Sequence, residues 1–208
     1  MKRLPSITLT LALLLSAVSL SGAPNPVVSA RQSVVSIVKP TPDGWRRVCS
    51  GAIVLLQEGP RVVTAGHCVT NASVAVQDID GRVWPAGVER HEFNPTIGER
   101  DYAVLTTPLQ YLVPGIRKAL EPPAWGADLF AWSSPLGIAP ILMGGMYAGR
   151  VLTGRSEPFD GMMLVTMNGD HGSSGSVILD ARGRAVGIVA RAFTQQSILK
   201  GLLLSELP

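Results

Sequence analysis

The sequence is poor in charged and aromatic residues, and it contains no run of basic residues. Charged residues make up 16% of the 208 positions and aromatic residues 5%. Without a basic run or a patch of interleaved aromatic side chains, the chain lacks the pattern typical of nucleic-acid-binding proteins. Hydrophobic residues make up 46% of the chain, which is ample for a packed core. We therefore predict a globular protein that does not bind nucleic acid.

Cysteine is also scarce, because only Cys49 and Cys68 occur. Two cysteines without a CxxC spacing or a histidine pair do not match the ligand pattern of a structural zinc site. The sequence predicts no metal and no cofactor. In an exported chain an even pair of cysteines is most simply a disulfide. Closing the loop between them would contribute about 3 kcal/mol in the chain-entropy view.

The N-terminal segment, residues 1–23, has the pattern of a secretory signal peptide. A basic start, Met1-Lys2-Arg3, precedes an apolar stretch from Ile7 to Leu20 and a group of small residues. The alternative is an uncleaved membrane anchor, but the stretch is short against the roughly 20 residues that span a bilayer. We predict a secreted or periplasmic protein with no membrane span after cleavage. Candidate cleavage sites follow Ser21, Ala23 and Ala30.

Frequent turn residues, 22 Gly and 16 Pro, separate short apolar runs along the rest of the chain. Such runs predict many short strands without room for crossover helices, so the fold class is all-β, an antiparallel barrel or sandwich. A predicted linker, residues 113–128, separates the predicted strands into two sets. The predicted strands are Ser33–Val38, Val48–Leu56, Arg61–Val63, Ser73–Gln77, Arg82–His91 and Tyr102–Thr106, then Leu129–Ser133, Ile141–Tyr147, Gly149–Leu152, Met162–Thr166, Ser176–Leu179, Ala185–Ala192 and Leu202–Leu204.

Three short motifs place a histidine, an aspartate and a serine in that order along the chain. His67 lies in Thr-Ala-Gly-His-Cys, Asp101 precedes an apolar run, and Ser174 lies in Gly-Ser-Ser-Gly-Ser. A serine hydroxyl needs a base within hydrogen-bond reach, and the base needs a third group that fixes its tautomer. The motifs therefore predict Ser174 as a nucleophile toward a carbonyl carbon, His67 as its base and Asp101 as the orienting group.

The glycines around Ser174 support its assignment over the neighbouring serines. Gly172 permits an unusual backbone turn in which the N–H groups of Gly172 and Ser174 point together as an oxyanion hole. Gly175 leaves space beside the nucleophile. Ser173 and Ser176 are the rival positions, and the glycines at 172 and 175 favour position 174 over both.

The three motifs resemble the signatures of trypsin-like (chymotrypsin-fold) serine proteases. The nearest resemblance, over roughly residues 33–208, is to the bacterial Deg-type envelope proteases. The segments 80–88, 134–137 and 180–188 are the most similar to theirs. The resemblance covers only the protease unit and includes no PDZ domain. The resemblance implies two antiparallel six-stranded β-barrels with the active site in the cleft between them. The first barrel (31–115) would carry His67 and Asp101, and the second (116–208, with the linker) Ser174. A Cys49–Cys68 disulfide would brace the histidine loop.

The same resemblance gives expectations about the substrate, which would be a peptide or a protein. Asn168 occupies a position where a protease specific for basic residues carries an acid, which argues against cleavage after Lys or Arg. His171 would line the cleft, and Ile188, Val189 and Ala190 would line an apolar pocket. The alternatives are an inactive binding protein that keeps the protease fold, and an esterase or self-processing enzyme.

Overall fold

The computed structural model describes residues 24–70, 73–93, 100–151, 162–193 and 198–206, which form two β structures packed on each other. The first is an eight-stranded sheet, whose strands are β1 (Val34–Thr41), β2 (Gly44–Leu56), β3 (Gly59–Thr64), β4 (Ala75–Gln77), β5 (Val83–Pro85), β6 (Gly87–Glu92), β7 (Tyr102–Thr106) and β8 (Ile116–Arg117). Their order in the sheet is β5-β4-β1-β2-β3-β7-β6, with β8 beside β2. They pair antiparallel except for β2 and β8, which are parallel.

The second structure is a closed six-stranded barrel, whose strands are β9 (Asp128–Ser133), β10 (Ile141–Arg150), β11 (Met163–Thr166), β12 (Val177–Asp180), β13 (Ala185–Phe193) and β14 (Ile198–Leu203). Their order around the barrel is β10-β11-β14-β13-β12-β9. All neighbouring strands pair antiparallel. In the part of the chain that the structure describes, no helix is long and apolar enough to cross a membrane.

The all-β, chymotrypsin-type architecture is confirmed, and the differences concern individual strands. The predicted strand Arg82–His91 is divided into β5 and β6 after Pro85, which has no N–H to donate to a ladder. The predicted strands Ile141–Tyr147 and Gly149–Leu152 form one strand, β10, whose pairing with β11 shifts between Tyr147 and Gly149. The predicted linker contains β8, which the sequence pattern missed. The first sheet therefore has eight strands rather than the predicted six.

A short N-terminal segment is packed into the core that joins the two β structures. Helix α1 (Pro26–Ser29) is capped by the Asn25 side chain, which accepts hydrogen bonds from the next turn's N–H groups. Val27 is buried in a cluster that contains Val54 from β2 and Leu179 from β12. The Trp132 indole donates to the Val27 carbonyl oxygen at 2.8 Å. The segment thus stabilises the contact between the sheet and the barrel.

Candidate active site

His67 lies on a 3₁₀ turn, Gly66–Cys68, that directly follows β3. The turn is packed so closely that a Cβ on Gly66 would lie 2.2 Å from the Glu92 carbonyl oxygen, so only glycine fits there. The disulfide between Cys68 and Cys49, with the Cα atoms 6.1 Å apart, ties the turn to β2. The predicted pairing of the two cysteines is therefore present, and it holds His67 from its C-terminal side.

Asp101 precedes β7 and accepts two hydrogen bonds from His67. The Asp101 Oδ1 atom accepts from the His67 backbone N–H at 2.8 Å, and Oδ2 contacts the ring Nδ1 at 2.7 Å. Because an ionised carboxylate has no proton to donate, the proton of that second bond belongs to Nδ1. The Asp101 side chain is only 3% exposed and that of His67 is 32% exposed. The pairing therefore leaves the His67 Nε2 lone pair as the accessible basic site.

A second layer of residues supports Asp101 and was not predicted from the sequence. Arg100, just before it, has a left-handed backbone conformation with φ of 52°. Tyr102, just after it, is buried and donates its hydroxyl to a Glu92 carboxylate oxygen at 2.9 Å. Burial raises the pKa of Tyr102, and the hydrogen bond to Glu92 adds to the rise. Tyr102 therefore stays protonated and continues to anchor the strand that follows Asp101.

The turn that carries Ser174 lies against the end of the strand that leads to His67. The Ser174 carbonyl oxygen accepts from the Ser50 N–H of β2 at 2.8 Å. Gly175 has φ of 80°, and a Cβ there would lie 2.2 Å from the Thr64 hydroxyl and 2.9 Å from the Ala65 nitrogen. Any larger residue at 175 would push the turn away from the histidine loop. Among the described residues, no hydrogen bond joins the His67 ring to the Ser174 hydroxyl.

The Gly172 N–H has its direction set by the carbonyl group of the same peptide unit. The His171 carbonyl oxygen accepts a hydrogen bond from the Leu136 N–H at 2.5 Å. In a trans peptide the C=O and N–H bonds point in opposite directions. The Gly172 N–H is therefore directed away from Leu136, and no described residue accepts a hydrogen bond from it. Leu136 itself has φ of 54°, a conformation unusual outside glycine that aims its N–H at His171.

The Ser174 N–H is oriented in the same way. The Ser173 carbonyl oxygen, in the same peptide unit, accepts from the Ser176 N–H at 3.0 Å. The Ser174 N–H is thus turned to the opposite side, where no described residue accepts its hydrogen bond. Two backbone donors of one turn, those of Gly172 and Ser174, are therefore left without an acceptor among the described residues, and free backbone donors are what an oxyanion hole is built from.

The residues expected to contact substrate fall into two groups. Asn168 and His171 are exposed on the segment that leads to the Ser174 turn. Ile188, Val189 and Ala190 are at most 1% exposed, and Ile188 and Val189 belong to two hydrophobic clusters of the core. The apolar pocket therefore remains a prediction from the sequence.

The sulfur atoms of Cys49 and Cys68 lie close to the His67 ring, with one potential ligand atom from each residue within 4.8 Å of the others. Thiolate sulfur is what makes cysteine a strong ligand for zinc. Because both sulfurs are joined in the disulfide, neither is a thiolate. This cluster is therefore no metal site while the disulfide is closed.

Comparison with solved structures supports the class of fold that this geometry defines. The active form of the Rv3671c protease from M. tuberculosis is 24% identical over 88% of this chain and 81% of its own, with a TM-score of 0.69. The HtrA-type protease AlgW with a decapeptide is 20% identical over 86% of this chain and 63% of its own, with a TM-score of 0.71. The serine endoprotease from Yersinia pestis is 20% identical over 86% of this chain and 61% of its own, with a TM-score of 0.69.

These likenesses establish a shared chymotrypsin-type protease fold. No curated protein matches the sequence. Residues 49–188, more than half of the chain, match the family described as the trypsin-like peptidase domain. The chain belongs to this family and is a serine endopeptidase, so its substrates are peptides or proteins.

Proposed function

We propose that the chain is an exported serine endopeptidase that cleaves peptide bonds through an acyl-enzyme, with Ser174, His67 and Asp101 as its triad. The Ser174 Oγ attacks the carbonyl carbon of the scissile bond while the His67 Nε2 takes the hydroxyl proton. Asp101 keeps the imidazole in the required tautomer and stabilises the imidazolium that forms. The N–H groups of Gly172 and Ser174 bind the oxyanion of the tetrahedral intermediate.

The later steps of the reaction use the same groups, first to release the amine and then to hydrolyse the acyl-enzyme. His67 gives its proton to the leaving amine as the carbon–nitrogen bond breaks, which leaves the acyl group on Ser174. A water molecule then attacks the ester carbonyl, with its proton passing to the His67 Nε2. The proton returns to the Ser174 oxygen as the acid product leaves, so no group is consumed.

The observation that carries this proposal is the paired hydrogen bond between Asp101 and His67. The Asp101 carboxylate is buried and accepts hydrogen bonds from both the backbone and the ring of His67. The nearby turn that carries Ser174 has two backbone N–H groups without acceptors among the described residues. These features together have a catalytic use. A histidine with only a structural role would not need both its backbone and its ring held by one buried carboxylate. The proximity of the Ser174 turn to the histidine loop supports the same conclusion.

Labelling and turnover together test the proposal. We expect a peptidyl organophosphonate to label the wild-type protein at Ser174 with a stoichiometry of about one. A peptide library should then be cleaved over many turnovers. A folded protein that is neither labelled nor active would instead be a binding protein with the protease fold. Labelling with a single cleavage event, or with ester substrates only, would favour the self-processing or esterase alternative.

Export and processing are proposed from residues 1–23 together with the packing of the segment that follows them. Asn25 caps α1, and Val27 is buried in the core between the sheet and the barrel. Removal of the segment 24–30 would therefore expose part of that core. We therefore expect the signal to be cleaved upstream of Asn25, and mass spectrometry of the exported protein to find an N-terminus at or before Pro24. A chain that starts at Arg31 should have a lower Tm, since burial of a valine side chain contributes about 1.5–3 kcal/mol. An exported N-terminus at Arg31, or one that retains Met1, would contradict this expectation.

A further inference from the structure

Ser50 is a fully buried serine of β2 whose hydroxyl reaches across to the second β structure. Its Oγ donates to the Gly172 carbonyl oxygen at 2.8 Å and accepts from the Ser134 N–H at 2.9 Å. Ser134 directly follows β9, and Gly172 begins the turn that carries Ser174. One hydroxyl of the first sheet therefore joins two separate loops of the barrel.

The backbone of Ser50 makes two further contacts at the same place. Its N–H donates to the Ser174 carbonyl oxygen at 2.8 Å, and its carbonyl oxygen accepts from the Thr64 hydroxyl at 2.7 Å. Thr64 is the last residue of β3, just before the turn that carries His67. Ser50 is thus bonded to the nucleophile's own residue, to the residue that carries the first oxyanion donor and to the strand that leads to the proposed base.

We propose that Ser50 is a positioning residue for catalysis, which fixes the Gly172–Ser174 turn against the histidine loop. This inference rests on the proposed function. The Gly172 carbonyl belongs to the peptide unit that follows the Gly172 N–H, so a restrained carbonyl limits rotation of that donor about the Gly172 backbone. The Leu136 hydrogen bond to His171 restrains the preceding peptide unit, and the two restraints together hold the donor in one direction.

Alanine at position 50 removes one restraint and leaves two polar groups, the partly buried Gly172 carbonyl and the buried Ser134 N–H, without this partner. Loss of an oxyanion donor itself lowers kcat by about 10²–10³-fold. Because Ser50 acts through the turn and does not touch the substrate, we expect a smaller loss, about 10–100-fold in kcat, with KM nearly unchanged. A lower kcat with an unchanged KM indicates an interaction that stabilises the transition state but not the bound substrate.

Ser36 provides a matched control. Its hydroxyl is also buried and lies 3.3 Å from the Ser134 hydroxyl, but it makes no hydrogen bond to the Ser174 turn among the described residues. Ser50→Ala and Ser36→Ala therefore remove the same atom from neighbouring buried sites. Both variants and the wild type are compared for kcat and KM, with active sites counted by the phosphonate label. A peptidyl trifluoromethyl ketone, which forms an oxyanion adduct with a serine, provides an inhibition constant for each.

We expect Ser50→Ala to lose kcat and ketone affinity by the same factor, and Ser36→Ala to retain both within about threefold. Equal kcat per labelled site in Ser50→Ala and wild type, or an equal loss in Ser36→Ala, would overturn the inference. If Ser50→Ala does not fold, Ser50→Thr and Ser50→Gly replace it: threonine keeps the hydroxyl and must keep kcat, while glycine must lose it. An inactive, unlabelled wild type refutes the endopeptidase and this inference together, whereas an active wild type with an equally active Ser50→Ala refutes only the inference.

Discussion

Ser174→Ala is expected to lower peptide turnover by about 10⁵–10⁶-fold, because the other two serines of the turn, Ser173 and Ser176, are fully buried and cannot replace it. The Ser174 side chain is partly exposed, and its hydroxyl makes no hydrogen bond to a described residue. Removing it should therefore leave the Tm almost unchanged. Turnover is measured on a fluorogenic peptide and stability by thermal unfolding monitored with circular dichroism.

Ser176→Ala is the matched control for this experiment. The Ser176 hydroxyl is buried and has no hydrogen-bond partner among the described residues, so its removal costs no protein–protein hydrogen bond. We expect this variant to retain turnover and phosphonate labelling. Wild-type turnover by a folded Ser174→Ala protein, or loss of labelling in Ser176→Ala alone, would show that the nucleophile is misassigned.

The motifs around His67 and Asp101 were predictable because their signal is local. Strand β7, Tyr102–Thr106, matches the predicted bounds at both ends, since an apolar run that is buried along most of its length leaves few alternatives. Asp101 then follows as the last polar residue before the run. The small residues at 64–66 likewise indicate a tight turn before His67. Local pattern and residue type were sufficient to locate the turn that carries His67 and the strand that follows Asp101.

The contacts that join the two β structures were not predictable from the sequence. The Ser50 hydroxyl and the Gly172 carbonyl are separated by 122 residues, and nothing in the local pattern around either residue indicates the other. The same is true of Val27 and Trp132, which are 105 residues apart. β8 consists of two residues, Ile116 and Arg117, which are too few to give a strand pattern in the sequence. It is a strand because it pairs with β2. Tertiary contacts, not propensity, determine these features.

The expected apolar pocket shows a different limit of sequence reasoning. Ile188 and Val189 are adjacent in β13, so they point to opposite faces of the strand, yet both are fully buried. Each face is covered, one by the core that joins the two β structures and the other by the interior of the barrel. A sequence shows that such residues are apolar, but it does not show which faces of a strand the packing covers. Of the residues expected to contact substrate, Asn168 and His171 are exposed, and the apolar pocket stays a prediction from the sequence.

Asp101→Asn is expected to lower kcat by about 10⁴-fold with little change in KM. The structure gives a specific reason. The Asp101 Oδ1 atom accepts from the His67 backbone N–H, so the asparagine oxygen would remain there and its NH₂ group would face the ring Nδ1. An NH₂ donor at Nδ1 selects the tautomer with the proton on Nε2, and that tautomer cannot accept the Ser174 proton.

The tautomer itself can be measured, which separates this cause from a loss of folding. In wild type near neutral pH, the ring nitrogen shifts of His67 should indicate a proton on Nδ1, and in Asp101→Asn a proton on Nε2. Asp80→Asn makes the same charge change at an exposed turn of the first sheet and should leave both kcat and the His67 shifts unaltered. A folded Asp101→Asn protein with near wild-type kcat would contradict the role of Asp101. An inactive one whose proton stays on Nδ1 would show that the carboxylate acts through its charge on the imidazolium and not through the tautomer.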